Sequence, residues 1–158
     1  MGVKPVLLVE GSTDVKVIQH FLRLIKKDAH VLILPLGRIP DGDELDEVAR
    51  ITPDVAVLID SEREAEGAGL ENRRKSFLEL CAGRKFRAAA LERRAIENYF
   101  PDSIVKRVFG NTFRGLTPYE RLGDVQPHWS KSQNWKLASA MDFESIRQTD
   151  LGAFLEAL

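Results

Sequence analysis

The stretch Pro5–Val15, PVLLVEGSTDV, is an apolar run that ends on an acid, a glycine, two hydroxyl residues and a second acid. An uninterrupted run of this kind is the pattern of a strand buried on both faces, the habit of parallel sheets. Gly11 permits a tight turn after it. Ser12 or Thr13 can cap a following helix, and Val15, Ile18, Phe21, Leu22 and Ile25 recur at helical spacing.

The same alternation continues downstream. Val31–Leu36 (VLILPL) reads as a second buried strand, residues 43–50 as a short helix, and Val55–Ile59 (VAVLI) as a third strand ending on Asp60. A loop with Gly67 and Gly69 leads to a helix over 70–82, then a weaker strand over Phe86–Leu91. The segment RAIENYFP is a short helix halted by Pro101. Residues 103–109, 131–141 and 149–157 are further expected helices, with a structured loop over 110–128. A β-α-β-α-β-α-β order predicts an α/β fold with a parallel sheet of about four strands and helices on both faces. The expected organisation is one domain, a core over 1–109 and a loop and helical extension over 110–158.

Bulk properties agree with a single globular unit. The 158 residues are 44% hydrophobic and 30% charged, enough to bury a core without staples. The single cysteine, Cys81, excludes an internal disulfide framework and fits a reducing, cytoplasmic setting, as an inert buried thiol. No apolar stretch is long enough to span a bilayer and no signal peptide is visible, so no membrane partner is expected. Net charge is −1, but residues 1–62 hold 7 basic and 11 acidic side chains while 63–107 hold 11 and 7. Such asymmetry fits a metal-loaded site beside a phosphate-binding face, and equally fits solvated helix faces.

Four acids fall where this topology gathers chemistry, at the carboxyl ends of strands. Glu10 ends the first strand and Asp14 lies in the first helical turn beyond it. Asp60 ends the third strand and Glu62 follows two residues later, on the same side if the chain stays extended. Adjacent parallel strands lie ~4.8 Å apart, so these carboxylates converge if strands one and three are neighbours. Clustered carboxylates repel, and a hard divalent cation resolves the repulsion; Mg²⁺ or Mn²⁺ suits oxygen ligands. Two such ions form the clamp used for in-line phosphodiester cleavage. Singly, each acid has a plainer reading, such as Asp14 complementing a helix dipole.

The motifs LLVEGSTDV and VLIDSE resemble the glutamate and DxD motifs of the Toprim fold of topoisomerases, primases and nucleases. Together with LERRAIENYF and HWSKSQNWKLA, they are similar to the Toprim half of OLD (overcoming lysogenisation defect) nucleases over nearly the whole chain. That resemblance implies a Toprim-like, Rossmann-like fold and a metal-dependent endonuclease that nicks DNA with two Mg²⁺ or Mn²⁺ ions, Ca²⁺ serving as a non-productive mimic. It implies Glu10, Asp14, Asp60, Glu62 and Glu97 as metal ligands, and Glu10 and Lys131 as catalytic residues. DxE stands in place of DxD, which makes Glu62 a less settled ligand than Asp60. Family members carry an ATPase domain in the same polypeptide. This chain has no GxxxxGK[ST] loop and starts almost on its first strand, so it is expected to be the nuclease half alone. Phage defence is the setting the resemblance implies.

Among basic residues, Arg93, Arg94 and Lys136 are candidate DNA contacts, with Arg73, Arg74, Lys75, Arg84, Lys85 and Arg87 as further phosphate contacts or solvated positions. Lys136 competes with Lys131 for the catalytic role. Glu92 is expected to pair with Arg93 or Arg94, and Trp129 and Trp135 to pack in the core. Two other functions fit the same residues. One is a catalytically weak Toprim module that binds nucleic acid or a partner and depends on the ATPase domain. The other is a small-molecule phosphatase or phosphotransferase using Asp60.

Overall fold

A computed structural model describes residues 4–158. The first three positions of the expected 1–109 core lie outside the described residues. In chain order the regular elements are β1 (Val6–Val9), α1 (Ser12–Leu24), β2 (Leu32–Pro35), α2 (Gly42–Ile51), β3 (Val55–Ile59), α3 (Asn72–Gly83) and β4 (Arg87–Ala90). They are followed by α4 (Asp102–Phe109), α5 (Asn134–Ala140), α6 (Glu144–Arg147) and α7 (Asp150–Glu156). Short 3₁₀ turns at Ile96–Tyr99, Leu122–Asp124 and Lys131–Gln133 join the later helices.

The four strands form one all-parallel sheet in the order β2-β1-β3-β4. The alternating pleat divides the core in two. Leu7, Val9, Ala56 and Leu58 face α1, whose Val17, Ile18, Phe21 and Leu22 are fully buried. Val6, Leu8, Val55, Val57 and Ile59 face the other way, against Leu45 of α2 and Phe77 and Cys81 of α3. Each fully buried Leu or Phe contributes about 1.5–3 kcal/mol, so both layers are needed to hold the sheet. The extension closes the α1 side: Leu137, Ile146, Leu151 and Leu155 are completely buried in the same core as Leu7 and Phe21. This is the α/β, Toprim-like arrangement expected from the sequence. Burial pushes the Cys81 thiol up to about 11, which keeps it inert. No helix among the described residues is long and apolar enough to cross a membrane.

Three local expectations need correction, and one short helix is not among the expected elements. Neither Ser12 nor Thr13 caps α1. Gly11 occupies the cap, and its N–H donates to Asp14 Oδ2 at 3.0 Å, half of a reversed capping box. The VLILPL strand is not buried on both faces: β2 is an edge, and Leu32 and Leu34 are 50% and 41% exposed. Trp135 is exposed on α5 with the Lys136 ammonium over its ring, because only Leu137 and Ala138 of that turn face α1. Residues 144–147 form a helical turn, α6, that has too few residues to show a period.

Candidate metal centre and adjoining cleft

Parallel pairing of β1 with β3 aligns Val9 with Leu58, so Glu10 and Asp60 leave neighbouring strands at one edge. The Asp60 N–H donates to Glu10 Oε2 at 3.0 Å, linking the two strand ends. Asp14 reaches the same edge from the first turn of α1. Glu97 arrives from the 3₁₀ turn after β4. Its neighbour Asn98 sets that turn: Asn98 Oδ1 accepts from Ala95 N–H at 3.1 Å, and Nδ2 donates to the carbonyls of Thr117 and Glu120 at 2.8 and 2.9 Å. Lys131 completes the edge and lies 3.2 Å from Glu97 Oε1. Its position follows from the WSKSQN segment. Trp129 is buried, stacked on Phe109, and donates through Nε1 to Asn134 Oδ1 at 2.7 Å. Ser130 N–H donates to Gln133 Oε1 at 3.1 Å and starts the turn that presents the lysine.

Asp60 is buried, and its carboxylate makes no hydrogen bond and no ion pair among the described residues. Burial raises its pKa well above the ordinary 3.8, and the fields of Asp14, Glu97 and Glu10 push the same way against Lys131. Asp14 is raised to about 6, again chiefly by burial, opposed by its bond from Gly11 and pushed further by Glu97. The Lys131 pKa is raised: burial disfavours its charge, and the fields of Glu97 and Asp60 outweigh that. The acids therefore share one electrostatic environment with a single lysine.

Other acids at the edge are held by arginines. Glu10 forms a two-pronged pair with Arg74 of α3, at 2.8 and 2.9 Å, and Arg74 Nη1 also donates to the Asp60 carbonyl at 2.6 Å. Glu62 does not continue the strand: its φ is 55°, so Asp60 and Glu62 are not related by strand alternation. Its Oε2 lies 3.2 Å from Arg94 Nη2. Among the described residues no three His, Cys, Asp or Glu side chains stand as a ready-made cage. The donor set nonetheless suits a hard divalent ion. Asp60 and Asp14 have free oxygens beside Glu97, and Oε1 of Glu10 accepts one bond only.

Corrections follow for the basic residues. Arg74 is no phosphate contact: it is 8% exposed and spent on Glu10. Arg94 pairs with Glu62 rather than Glu92, and its remaining bond goes to the Arg63 carbonyl. Arg93 lies over the Tyr99 ring and donates to the Asn98 carbonyl. The Glu92 carboxylate pairs with no arginine among the described residues; its backbone N–H donates to Asp150 Oδ2 and its carbonyl accepts from Arg63 Nη1. Lys136 is exposed on α5, away from the acids in the charge interactions described. From the sequence Arg74 is a phosphate contact or solvated position, and its role as partner of Glu10 is not legible because nothing in NRRKS distinguishes its second arginine from its neighbours.

A cleft of about 480 Å³ opens beside the acids, lined by Glu62, Glu97 and Lys131 together with Arg94, Arg121 and His128.

The raised carboxylates set a pH dependence. Folded Asp14 and Asp60 keep protons that the unfolded chain releases above about pH 4, so stability falls as pH rises through the folded values. In EDTA, Asp14, raised to about 6, is expected on its own to lower the unfolding free energy by on the order of 2 kcal/mol from pH 4.5 to pH 7, and Asp60 acts in the same direction. Asp14→Asn flattens the curve. Urea titrations check this; a rise in stability across that interval contradicts it.

The architecture and its edge-of-sheet acids define a Toprim-like α/β domain. No family model and no curated protein matches the sequence. Among solved structures, the chain is similar to the C-terminal region of the Burkholderia pseudomallei OLD protein, with a TM-score of 0.52 and 14% identity, covering 99% of this chain and 87% of that one. The C-terminal region of the Xanthomonas campestris pv. campestris OLD protein aligns at a TM-score of 0.41 and 12% identity, covering 98% and 83%. The first of these likenesses establishes the fold: this chain has the fold of an OLD C-terminal region.

Proposed function

We propose that the protein is a metal-dependent nuclease domain that nicks DNA phosphodiester bonds. The observation that carries this reading is Asp60, 9% exposed and with a carboxylate that makes no hydrogen bond among the described residues, beside Asp14, Glu97 and Lys131 at the carboxyl edge of the sheet. A carboxylate largely withdrawn from water, among other acids and without a bonded partner, is costly, and such cost is tolerated where a ligand relieves it. Asp14, Asp60 and Glu97 would hold divalent ions, with Glu10 through its free lone pair and Glu62 at the periphery. When bound, Mg²⁺ or Mn²⁺ supplies an activated water and neutralises the leaving oxygen. Lys131 stabilises charge on the phosphate, Glu97 orients its ammonium, and Arg74 holds Glu10 against the edge. The fold shared with an OLD C-terminal region supports this assignment, and an ATPase domain in the same polypeptide is the proposed physiological partner.

Supercoiled plasmid with Mg²⁺ or Mn²⁺ is expected to be nicked, and Ca²⁺ to bind without supporting cleavage. Asp60→Asn and Glu97→Gln each abolish nicking and reduce Mn²⁺ uptake measured by calorimetry. Intact plasmid at every metal concentration, or unchanged nicking in both variants, sinks the proposal. Glu10→Ala is a poorer probe because it strands Arg74.

A second reading has its own support. Arg74, Arg94 and Lys131 already neutralise Glu10, Glu62 and Glu97, which suits a module that binds nucleic acid without cutting it. DNA binding in EDTA together with no Mn²⁺ uptake favours that reading.

A further inference from the structure

We propose that the cleft beside Lys131 seats the sugar-phosphate backbone of one DNA strand next to the scissile position, with Arg121 as its dedicated cation. This deepens the nuclease reading and rests on it for the location of the scissile phosphate. The argument begins with charge accounting. Three cations line the cleft, namely Arg94, Arg121 and Lys131. Arg94 is buried and spent on Glu62 and the Arg63 carbonyl; Lys131 faces Glu97. Arg121 is exposed and makes no ion pair or side-chain hydrogen bond among the described residues. An exposed guanidinium at the mouth of a cleft, with no internal partner, is matched by an external anion, and guanidinium geometry suits phosphate oxygens.

The position is also held in advance. Asn98, which sets the Glu97 turn, grips the carbonyl of Glu120 immediately before Arg121. Glu120 is clamped in turn by Arg114 at 2.8 Å through both oxygens. Arg94 N–H donates to the Pro118 carbonyl at 2.9 Å. Buried Leu122 and Val125 anchor the far side. The loop that presents Arg121 is thus tied to the segment that presents Glu97, so a strand held by one is registered against the other.

Neighbouring charge gives the strand a direction. A second cleft, of about 460 Å³, shares Arg94 and Arg121 with the first and is otherwise lined by Tyr119, Glu64, Glu120 and Asp124. Those acids repel a polyanion. The first cleft has an apolar floor from Ala95, Leu122 and Trp129, suited to sugar faces. Trp129 is 3% exposed and stacked on Phe109, so the cleft reads the backbone and not the bases.

The test is fluorescence anisotropy of a labelled single-stranded oligonucleotide with the intact protein in EDTA, over a series of salt concentrations. Arg121→Ala is expected to weaken binding about 5-fold, equally for unrelated sequences, and to lower the salt slope by about 0.7. Arg50→Ala, at the amino edge of the sheet, leaves affinity and slope unchanged, and Arg121→Ala leaves Mn²⁺ uptake unchanged. Wild-type affinity and slope in Arg121→Ala, or an equal loss in Arg50→Ala, overturns the proposal. A wild-type protein that does not bind the oligonucleotide also overturns it. Binding through Arg121 without cleavage or Mn²⁺ uptake keeps the backbone seat and removes the nuclease reading. Cleavage with an unaltered Arg121→Ala salt slope does the reverse.

Discussion

Arg74→Leu is expected to destabilise the protein by about 3 kcal/mol or more, the largest effect of any single substitution at the carboxyl edge. Arg74 is 8% exposed and reaches both oxygens of Glu10 and the Asp60 carbonyl. Removing it leaves Glu10, whose side chain is 21% exposed, without a counter-ion beside Asp14 and Asp60. A loss of that size is a large share of a domain's typical stability of ~5–15 kcal/mol. The cost comes from the stranded charge more than from the lost attraction. Glu10→Leu/Arg74→Leu is therefore expected to recover most of the stability, since paired replacement of a buried ion pair is often neutral. Urea titrations of the three variants with EDTA present decide the matter. A single-variant loss below about 1 kcal/mol would show that the pair is solvated.

Lys131→Ala is expected to slow nicking by about 10²- to 10³-fold and to cost about 1–3 kcal/mol of stability, because it leaves the buried Glu97 carboxylate without its cation. The Lys131 side chain is 51% exposed and that of Glu97 only 5%, so the stability cost falls on the stranded carboxylate while the lysine itself is reachable by substrate. Its ammonium is the one lysine whose charge is coupled to both Glu97 and Asp60 among the described residues. Lys136→Ala, on an exposed turn of α5, is the control and is expected to cleave within a few-fold of wild type. Single-turnover nicking rates measure both variants, and urea midpoints confirm that they are folded. Equal losses in the two would remove Lys131 from the proposed mechanism.

Much of the architecture is legible along the chain because local rules and tertiary needs agree there. VLLV and VAVLI are buried on both faces, and the runs read as such. LILP reads the same way and is an exposed edge, because apolar periodicity reports a preference for burial and not which neighbour arrives. Acids at the ends of β1 and β3 were readable from position alone, and their adjacency follows from the strand order. Asp60 and Glu62 show the limit. Their spacing suggests one shared face, but Glu62 adopts φ 55° where the 61–62 backbone bonds to the Arg94 carbonyl. A contact 32 residues away thus overrides a local alternation.

From the sequence alone come the α/β alternation, the parallel sheet and the strand-end placement of Glu10 and Asp60. Those features depend on apolar spacing and turn chemistry within a few residues. Only the tertiary structure decides which charges are spent and which are free. Arg74 reaches Glu10 across 64 positions, Asn98 ties the Glu97 turn to the Arg121 loop, and the Asp60 carboxylate has no hydrogen bond or ion pair among the described residues. Long-range ion pairing depends on burial and on side-chain reach after the chain has folded, and a one-dimensional pattern carries neither.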